Sequence, residues 1–382
     1  MRCTEQRIEA RRLIVVLDIS AAFDTIDHSM LLNRLNHSFG IGGNALSLIS
    51  SYLAMRSQTS RVGSASSAPF NCSCGMPQGS VLGQIFFTVY VSPITSVAYR
   101  HHANQQQYAN DTQLYIAFTK QTAVSSIHNL QACLVALQAW FAQNGLALNP
   151  DKTEVIQMST SRRAKELSSV ARVNIAGASV KYSNQLKLLG VTLDAAFTFN
   201  AQIKSVSKAS FHIRALRHIR TTLTEDLANT VACSLIQSRL DYANSLYSGM
   251  SSSNFTKLQH IQNTLARIVT LSDNRVHITP ILKRLHWLLI CQRMEYKVSL
   301  LSYNIRQTGE PVYLSALLIE HVQTRNLRSS ERSDLDIPRT KFALASRAFS
   351  VAASRTWNSL PTDVTSAESL TIFSQTTQDI SI

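Results

Sequence analysis

The sequence has 382 residues, of which 45% are apolar and 16% charged, and its net charge is +14. That length allows two or three domains with cores of their own, and the apolar content excludes a disordered chain. The charge is uneven: residues 201–350 hold 20 Lys/Arg against 10 Asp/Glu, which points to a polyanionic partner, nucleic acid before membrane, with a generally basic soluble protein as the rival reading.

The six cysteines are scattered, and Cys72-Ser73-Cys74 is too tight for zinc-ligand spacing. They read as reduced thiols of an intracellular protein. The first residues, Met-Arg-Cys-Thr-Glu, lack the apolar core of a signal peptide. The most apolar long stretch, 81–99, contains Gln84, Thr88, Ser92 and Pro93, which argue against a membrane span. No internal repeat is apparent.

The first predicted element is a strand, Arg12-Leu-Ile-Val-Val-Leu-Asp18. It is an apolar run ending in a carboxylate, which is costly to bury without a cation. Small residues and then Phe23 follow, a pattern suited to backbone turning tightly beside a ligand. Asp27 is positioned to cap a helix starting at His28. A second helix is expected over about 43–56, then two short strands ending near Asn71. Cys74-Gly-Met-Pro77-Gln78-Gly79-Ser80-Val-Leu-Gly83-Gln84 is a loop opening a helix over 80–91. Free N–H groups at a helix start suit phosphate, but alone such a loop reads first as a turn.

Residues 105–118, QQQYANDTQLYIAF, carry a hairpin signal, with Asn110-Asp111 as the turn and Asp111 at its tip. By itself this is a solvated acid in a surface turn; beside the strand-borne Asp18 it suggests a metal site. An amphipathic helix over 121–143 follows, then a turn into a strand over 148–158. Strands near 172–176, 179–182 and 186–193 complete a sheet-rich region. From 198 the pattern is helical, with Phe199, Ile203, Val206, Ser210 and Ile213 on one face. Lys204, Lys208, Arg214 and His218 lie mostly away from that face, and Arg217 and Arg220 extend the basic run. Such a run is either solvated surface or a contact for a phosphate backbone. Further helices are expected near 224–247, 254–271 and 279–305. The tail around 347–361 yields no chemistry from its pattern.

Taken in order, these segments resemble the reverse transcriptase of non-LTR, LINE-type retrotransposons of the jockey-like group. LDISAAFDTIDH is similar to motif A, CGMPQGSVLGQ to motif B, QYANDTQLY to motif C, LNPDKTEV to motif D and KLLGVTLD to the primer grip. LQHIQNTLARIV and RAFSVAASRTWNSLP resemble the C-terminal region of that group. The resemblance implies an α+β fold: a right-hand polymerase palm, an antiparallel sheet with packed helices, followed by an α-helical thumb and a C-terminal region. The expected divisions are 1–196 for the palm with a remnant of the fingers, 197–305 for the basic thumb and 306–382 for the C-terminal region.

By the same resemblance the function is RNA-directed DNA polymerisation, with an RNA template, a DNA primer and dNTP as partners. Two Mg²⁺ ions are implied, since nucleotidyl transfer needs the attacking oxygen and the leaving pyrophosphate stabilised together. Asp18 would bridge both ions, and Asn110 and Asp111 would stand at the remaining ligand positions. Phe23 would be the gate against a 2′-hydroxyl, with a core aromatic as the rival reading. Gln78, Gly79 and Tyr108 would contact template and nucleotide, Lys152 would neutralise or protonate the pyrophosphate, and Leu189-Gly190-Val191 would hold the primer end.

Two departures shape the expectation. The family's Tyr-Ala-Asp-Asp reads Tyr-Ala-Asn-Asp here, so Asn110 removes a negative charge, and Gln84 replaces a proline. Only 17 residues precede Asp18, so the fingers motifs and an endonuclease domain are expected to be missing, as in a truncated reading frame. The expected activity is therefore an impaired polymerase. The alternatives are a non-catalytic nucleic-acid-binding remnant and an unstable translation product.

Overall fold

A computed structural model of the chain describes residues 11–77, 79–119, 121–158, 172–208, 210–322, 334–340 and 344–381. It divides into two compact units between Leu188 and Leu189.

The first unit contains β1 (Arg11–Ser20), the short pairs β2 (Arg56–Gln58) with β5 (Phe70–Cys72) and β3 (Arg61–Val62) with β4 (Ala65–Ser66), β6 (Asn104–Tyr108), β7 (Asp111–Phe118), β8 (Ala147–Met158), β9 (Arg172–Ile175) and β10 (Ala178–Ser183). It is built on a six-stranded sheet in the order β6-β7-β1-β8-β10-β9. All neighbours pair antiparallel except β8 and β10. The two-residue alternation of β1 decides its faces. Leu13, Val15, Leu17 and Ile19 are buried, whereas Ile14, Val16 and Asp18 are only half-covered. Against the buried face pack α1 (His28–Phe39), α3 (Val81–Val91) and α5 (Ala123–Gln143), through Leu31, Leu35, Phe87, Tyr90, Leu137 and Phe141. Each such side chain contributes about 2–3 kcal/mol on leaving water. The stretch Val81–Arg100 has the length and mean hydropathy to cross a membrane. Here it breaks at Ser92-Pro93 into α3 and α4 (Ile94–Arg100), and buries Phe87, Tyr90, Val91 and Ile94 in this core.

Several local readings hold: Asp27 caps α1, accepting from the Met30 N–H at 2.8 Å, and the loop after Cys74 opens the helix α3. Its cap, which the sequence reading did not single out, is Ser80, accepting from the Gly83 N–H at 3.1 Å. Others shift. The second helix ends at Leu53, before 56, because Met55 takes a left-handed φ of 51° and the chain enters a short strand at Arg56. The hairpin turn is Ala109-Asn110, with Tyr108 paired to Asp111, so Asp111 is the first residue of β7 and not the tip. Ala109 supplies the positive φ, 52°, that a two-residue hairpin requires at its first position. The expected turn at 148–158 lies inside β8 as a bulge. Val16 pairs with Glu154, and two residues on Asp18 pairs with Asn149, so 150–153 loop out.

In the second unit a left-handed turn at Leu189-Gly190 interrupts the strand expected over 186–193. Phe199 is not helical; its φ is 59°, and Asp194 holds the turn by accepting from the N–H groups of Thr198 and Phe199 at 2.9 and 2.7 Å. Ile203, Val206 and Ile213 are buried as expected, but on two helices, Asn200–Ser207 and Ser210–Ile219. The helix expected over 224–247 passes through a π turn at Cys233–Gln237 and stops at Asp241, where Arg293 pairs with Asp241 and Gln237. The one over 279–305 becomes Ile278–Arg284 and Ile290–Thr308, since His286 adopts a φ of 54° while Trp287 and Leu288 turn inward. The helix Ser252–Thr270 is close to its expectation. The tail is structural: Phe373 stacks with Tyr303 at 4.4 Å and with Trp357 at 6.1 Å in a core of their own.

Two stability measurements follow from these contacts. Phe373→Ala is expected to cost about 3–5 kcal/mol by emptying that core, read as a shifted urea midpoint. Asp27→Ala is expected to cost about 1 kcal/mol near neutral pH. Bonds from Ser29 and the Met30 N–H hold the Asp27 carboxyl below its ordinary 3.8. Its contribution is therefore present above that pH and lost as pH falls through the lowered value. Melts of the two proteins should converge in acid, and a gap that persists well below pH 3.8 would contradict the cap's role.

Candidate active site

Strand register brings the acidic residues together. Leu17 of β1 pairs with Thr112 of β7, so the next position sets Asp18 opposite Asp111; Asp111 pairs with Tyr108 on β6, and Asp18 with Asn149 on β8. Tyr108, Asp111, Asp18 and Asn149 thus form one row across four strands, on the face away from the helical core. Side chains directly opposite in an antiparallel pair have Cβ atoms roughly 4.5–5.5 Å apart. Burial first, and the Asp18 carboxylate second, push the Asp111 carboxyl above the usual carboxylate range.

A cavity of about 540 Å³ opens beside this row, and Asp18, Phe23, Gly79, Ser80, Asn110 and Lys152 are among its lining residues. Its floor is the end of β1 and the turn after it, where Ala21 takes a φ of 46° and the Asp24 N–H donates to the Ala21 carbonyl at 2.9 Å. Phe23 lies against Phe87 at 5.0 Å. The loop into α3 and its first turn also line it, through Pro77, Gly79, Ser80, Gly83 and Gln84. The bulge in β8 brings Lys152 to the cavity. Within it Thr153, buried, donates to the Asn149 carbonyl at 2.7 Å, and the Asn149 side chain accepts from the Asp151 N–H at 3.1 Å.

A short strap ties the turn after β1 to the loop into α3. The Gly75 N–H donates to the Ile26 carbonyl at 2.8 Å and the Met76 N–H to the Phe23 carbonyl at 2.6 Å. Gly75 has a φ of 86°, and a Cβ there would stand 2.8 Å from the Asp24 carbonyl oxygen, so only glycine fits.

Of the residues singled out from sequence, Asp18, Phe23, Gly79, Asn110 and Lys152 meet at this cavity. Asp111 adjoins them through Asp18. Tyr108 is 60% exposed at the end of β6. Gln78 lies outside the described residues. Leu189, Gly190 and Val191 belong to the second unit, where the Tyr242 hydroxyl donates to the Leu189 carbonyl at 2.5 Å. Asn149 and Gln84 also line the cavity, and sequence reasoning gave neither a place there. Asn149 sat in the motif D string, but only cross-strand pairing reveals its neighbour. Among the described residues no group of three or more His, Cys, Asp and Glu is arranged to hold a metal ion. Two facing carboxylates, Asp18 in the cavity lining and Asp111 beside it, are nonetheless the donor type that suits a hard cation, with oxygen from Asn110 or Asn149 as a neutral supplement.

Residues 1–193 match the sequence profile of the reverse transcriptase (RNA-dependent DNA polymerase) family. Over 266 residues the chain is 27% identical to a probable RNA-directed DNA polymerase from transposon BS of Drosophila melanogaster, covering 67% of this chain and 28% of that one. It is also 27% identical over 265 residues to the RNA-directed DNA polymerase from mobile element jockey of the same species, covering 66% and 28%. The chain thus spans about a quarter of the length of these relatives. Among solved structures, telomerase from Candida tropicalis, in complex with a TWJ fragment of telomeric RNA, aligns over 77% of this chain and 48% of that one at 10% identity. Its TM-score is 0.39, and no assignment rests on it. With a profile match over half its length, the chain belongs to the reverse transcriptase family, as a LINE-type, non-LTR retrotransposon reverse transcriptase domain.

Proposed function

We propose that this chain is an RNA-directed DNA polymerase module weakened by the loss of one carboxylate. The observation that carries the reading is the row of Asp111 and Asp18 beside a cavity that also takes in Phe23, Gly79 and Lys152. In this reading 1–196 is the palm, 197–305 a basic thumb and 306–382 a C-terminal region. The partners are an RNA template, a DNA primer and dNTP, and the protein works inside the cell.

Each residue has a chemical task. Asp18 and Asp111 are hard anionic oxygen donors suited to Mg²⁺. When bound, divalent cations would stabilise the attacking 3′-oxygen and the departing pyrophosphate. Lys152 supplies positive charge, or a proton, to the pyrophosphate side. Phe23 excludes a 2′-hydroxyl by bulk. Gly79 and Tyr108, with Gln78, contact template and nucleotide, and the turn at Leu189-Gly190-Val191 holds the primer end. Asn110 retains a carbonyl oxygen but no charge, in the position where the family carries an acid.

A second reading, nucleic-acid binding without polymerisation, is favoured by the same Asn110 and by the lack of a third acid beside Asp18 and Asp111 among the described residues. Primer extension on an RNA template with Mg²⁺ or Mn²⁺ separates the two. Asn110→Asp is expected to raise extension at least about 100-fold, equivalent to about 2.7 kcal/mol in the barrier. Adding Asp18→Ala to that variant should abolish it. If the unaltered chain extends primer as fast as Asn110→Asp, the impairment is wrong. If neither extends, and both still bind RNA–DNA hybrid with an affinity that falls steeply with salt, the binding reading replaces the first.

A further inference from the structure

Phe23 can discriminate between sugars only if its distance from the facing wall is fixed. Nothing in the ring itself fixes it. The Phe23 ring rests on Phe87 at 5.0 Å, and its carbonyl accepts from the Met76 N–H at 2.6 Å, so the wall stands where residues 75 and 76 hold it. Those residues lead into Pro77, and Pro77, Gly79 and Ser80 line the same cavity as Phe23.

The strap is held by a side chain as well as by its backbone bonds. His28, the first residue of α1, reaches across to the Gly75 carbonyl with Nε2 at 2.7 Å. A carbonyl only accepts, so Nε2 carries the proton. His28 is rigidly mounted, because Asp27 before it caps the helix and Ile26 is fully buried. The Gly75 N–H bonds Ile26 and its C=O bonds His28, so both polar groups of this one peptide-linked residue are engaged by the segment carrying Phe23. Removing the imidazole leaves the strap held by its two N–H bonds and by the Cys74 thiol, which donates to the Asp24 carbonyl at 3.5 Å.

We infer that His28 is a positioning residue for sugar selection: through Gly75 and Met76 it sets the separation between Phe23 and the Gly79–Ser80 wall. It touches no substrate. The margin is small, since a 2′-hydroxyl adds a single oxygen and a misplacement of about 1 Å is enough to change a site's behaviour substantially. The inference rests on the polymerase reading of the cavity and adds a residue to it.

The test compares the full-length chain with His28→Ala, His28→Gln and Phe23→Ala. Gln places its amide N–H where Nε2–H stands, so it preserves the bond. Equilibrium binding of dATP and ATP in the presence of Mg²⁺ gives the sugar preference, and hydrogen exchange at the Gly75 and Met76 amides reports the strap. His28→Ala is expected to speed exchange at Met76 and to reduce the preference for dATP roughly tenfold, toward the value of Phe23→Ala. His28→Gln should restore both. A purely structural role would lower thermal stability without changing the dATP/ATP ratio, and that result overturns the inference alone. Unchanged exchange in His28→Ala overturns the latch, as does an equal loss of preference in His28→Gln. If the unaltered chain binds neither nucleotide, the polymerase reading fails and this inference with it. If it binds both equally, only the selection role is removed.

Discussion

The antiparallel register of β1 against β7 is the constraint from which the site follows. It sets Asp18 across from Asp111, and it is fixed by the opposite face of the sheet. There Leu13, Val15 and Leu17 interleave with Leu114, Ile116 and Phe118 in the buried core. A slip of one residue would turn all these side chains to the wrong face and drive Asp18 into the core. Hydrophobic burial on one face therefore sustains an electrostatically unfavourable pairing on the other. The Asp111 carboxyl is raised by its burial first and by that facing charge second.

Around the end of β1 the backbone abandons regularity on both sides. On one side the strap at 74–76 is bonded to the turn after Phe23; on the other, β8 bulges at 150–153 and returns to pairing at Glu154. Both irregularities are closed by specific hydrogen bonds, His28 to Gly75 and Thr153 to Asn149, and each adjoins lining of the same cavity, Pro77 after the strap and Lys152 within the bulge. Regular pairing could not do this, since it would continue the sheet where the cavity now stands.

What the sequence disclosed depended on how local the signal was. The β1 strand, the Asp27 cap, the helix after Ser80 and the long helix before β8 were legible because each depends on residues a few positions apart. The turn residues of the hairpin were misplaced by one. Asn and Asp are the usual carriers of turn conformations, and here Ala109 takes the left-handed φ instead. The helix breaks at His286 and Tyr242 were invisible because they are imposed by tertiary contacts, such as the Arg293 pairing with Asp241, that no window of sequence contains. Five cavity residues were found from ordered motifs. Asn149 and His28 were missed, since their roles depend on neighbours more than 40 positions away in the chain, at separations of 131 to Asp18 and 47 to Gly75.

Asn110 separates fold from chemistry. It occupies the second position of the hairpin turn, where an amide is as acceptable as a carboxylate, so replacing one by the other leaves the backbone undisturbed. The consequence falls on charge alone. Burial first, and Asp18 second, already raise the Asp111 carboxyl, and a third acid at 110 would add like-charge repulsion that a cation relieves. On the proposed reading the amide eases that repulsion and lowers the pull on a cation. A chain carrying it would then fold as well as its relatives, or better, with its chemistry slowed. For this family, folding stability and polymerase activity are accordingly separate measurements, and neither predicts the other at this position.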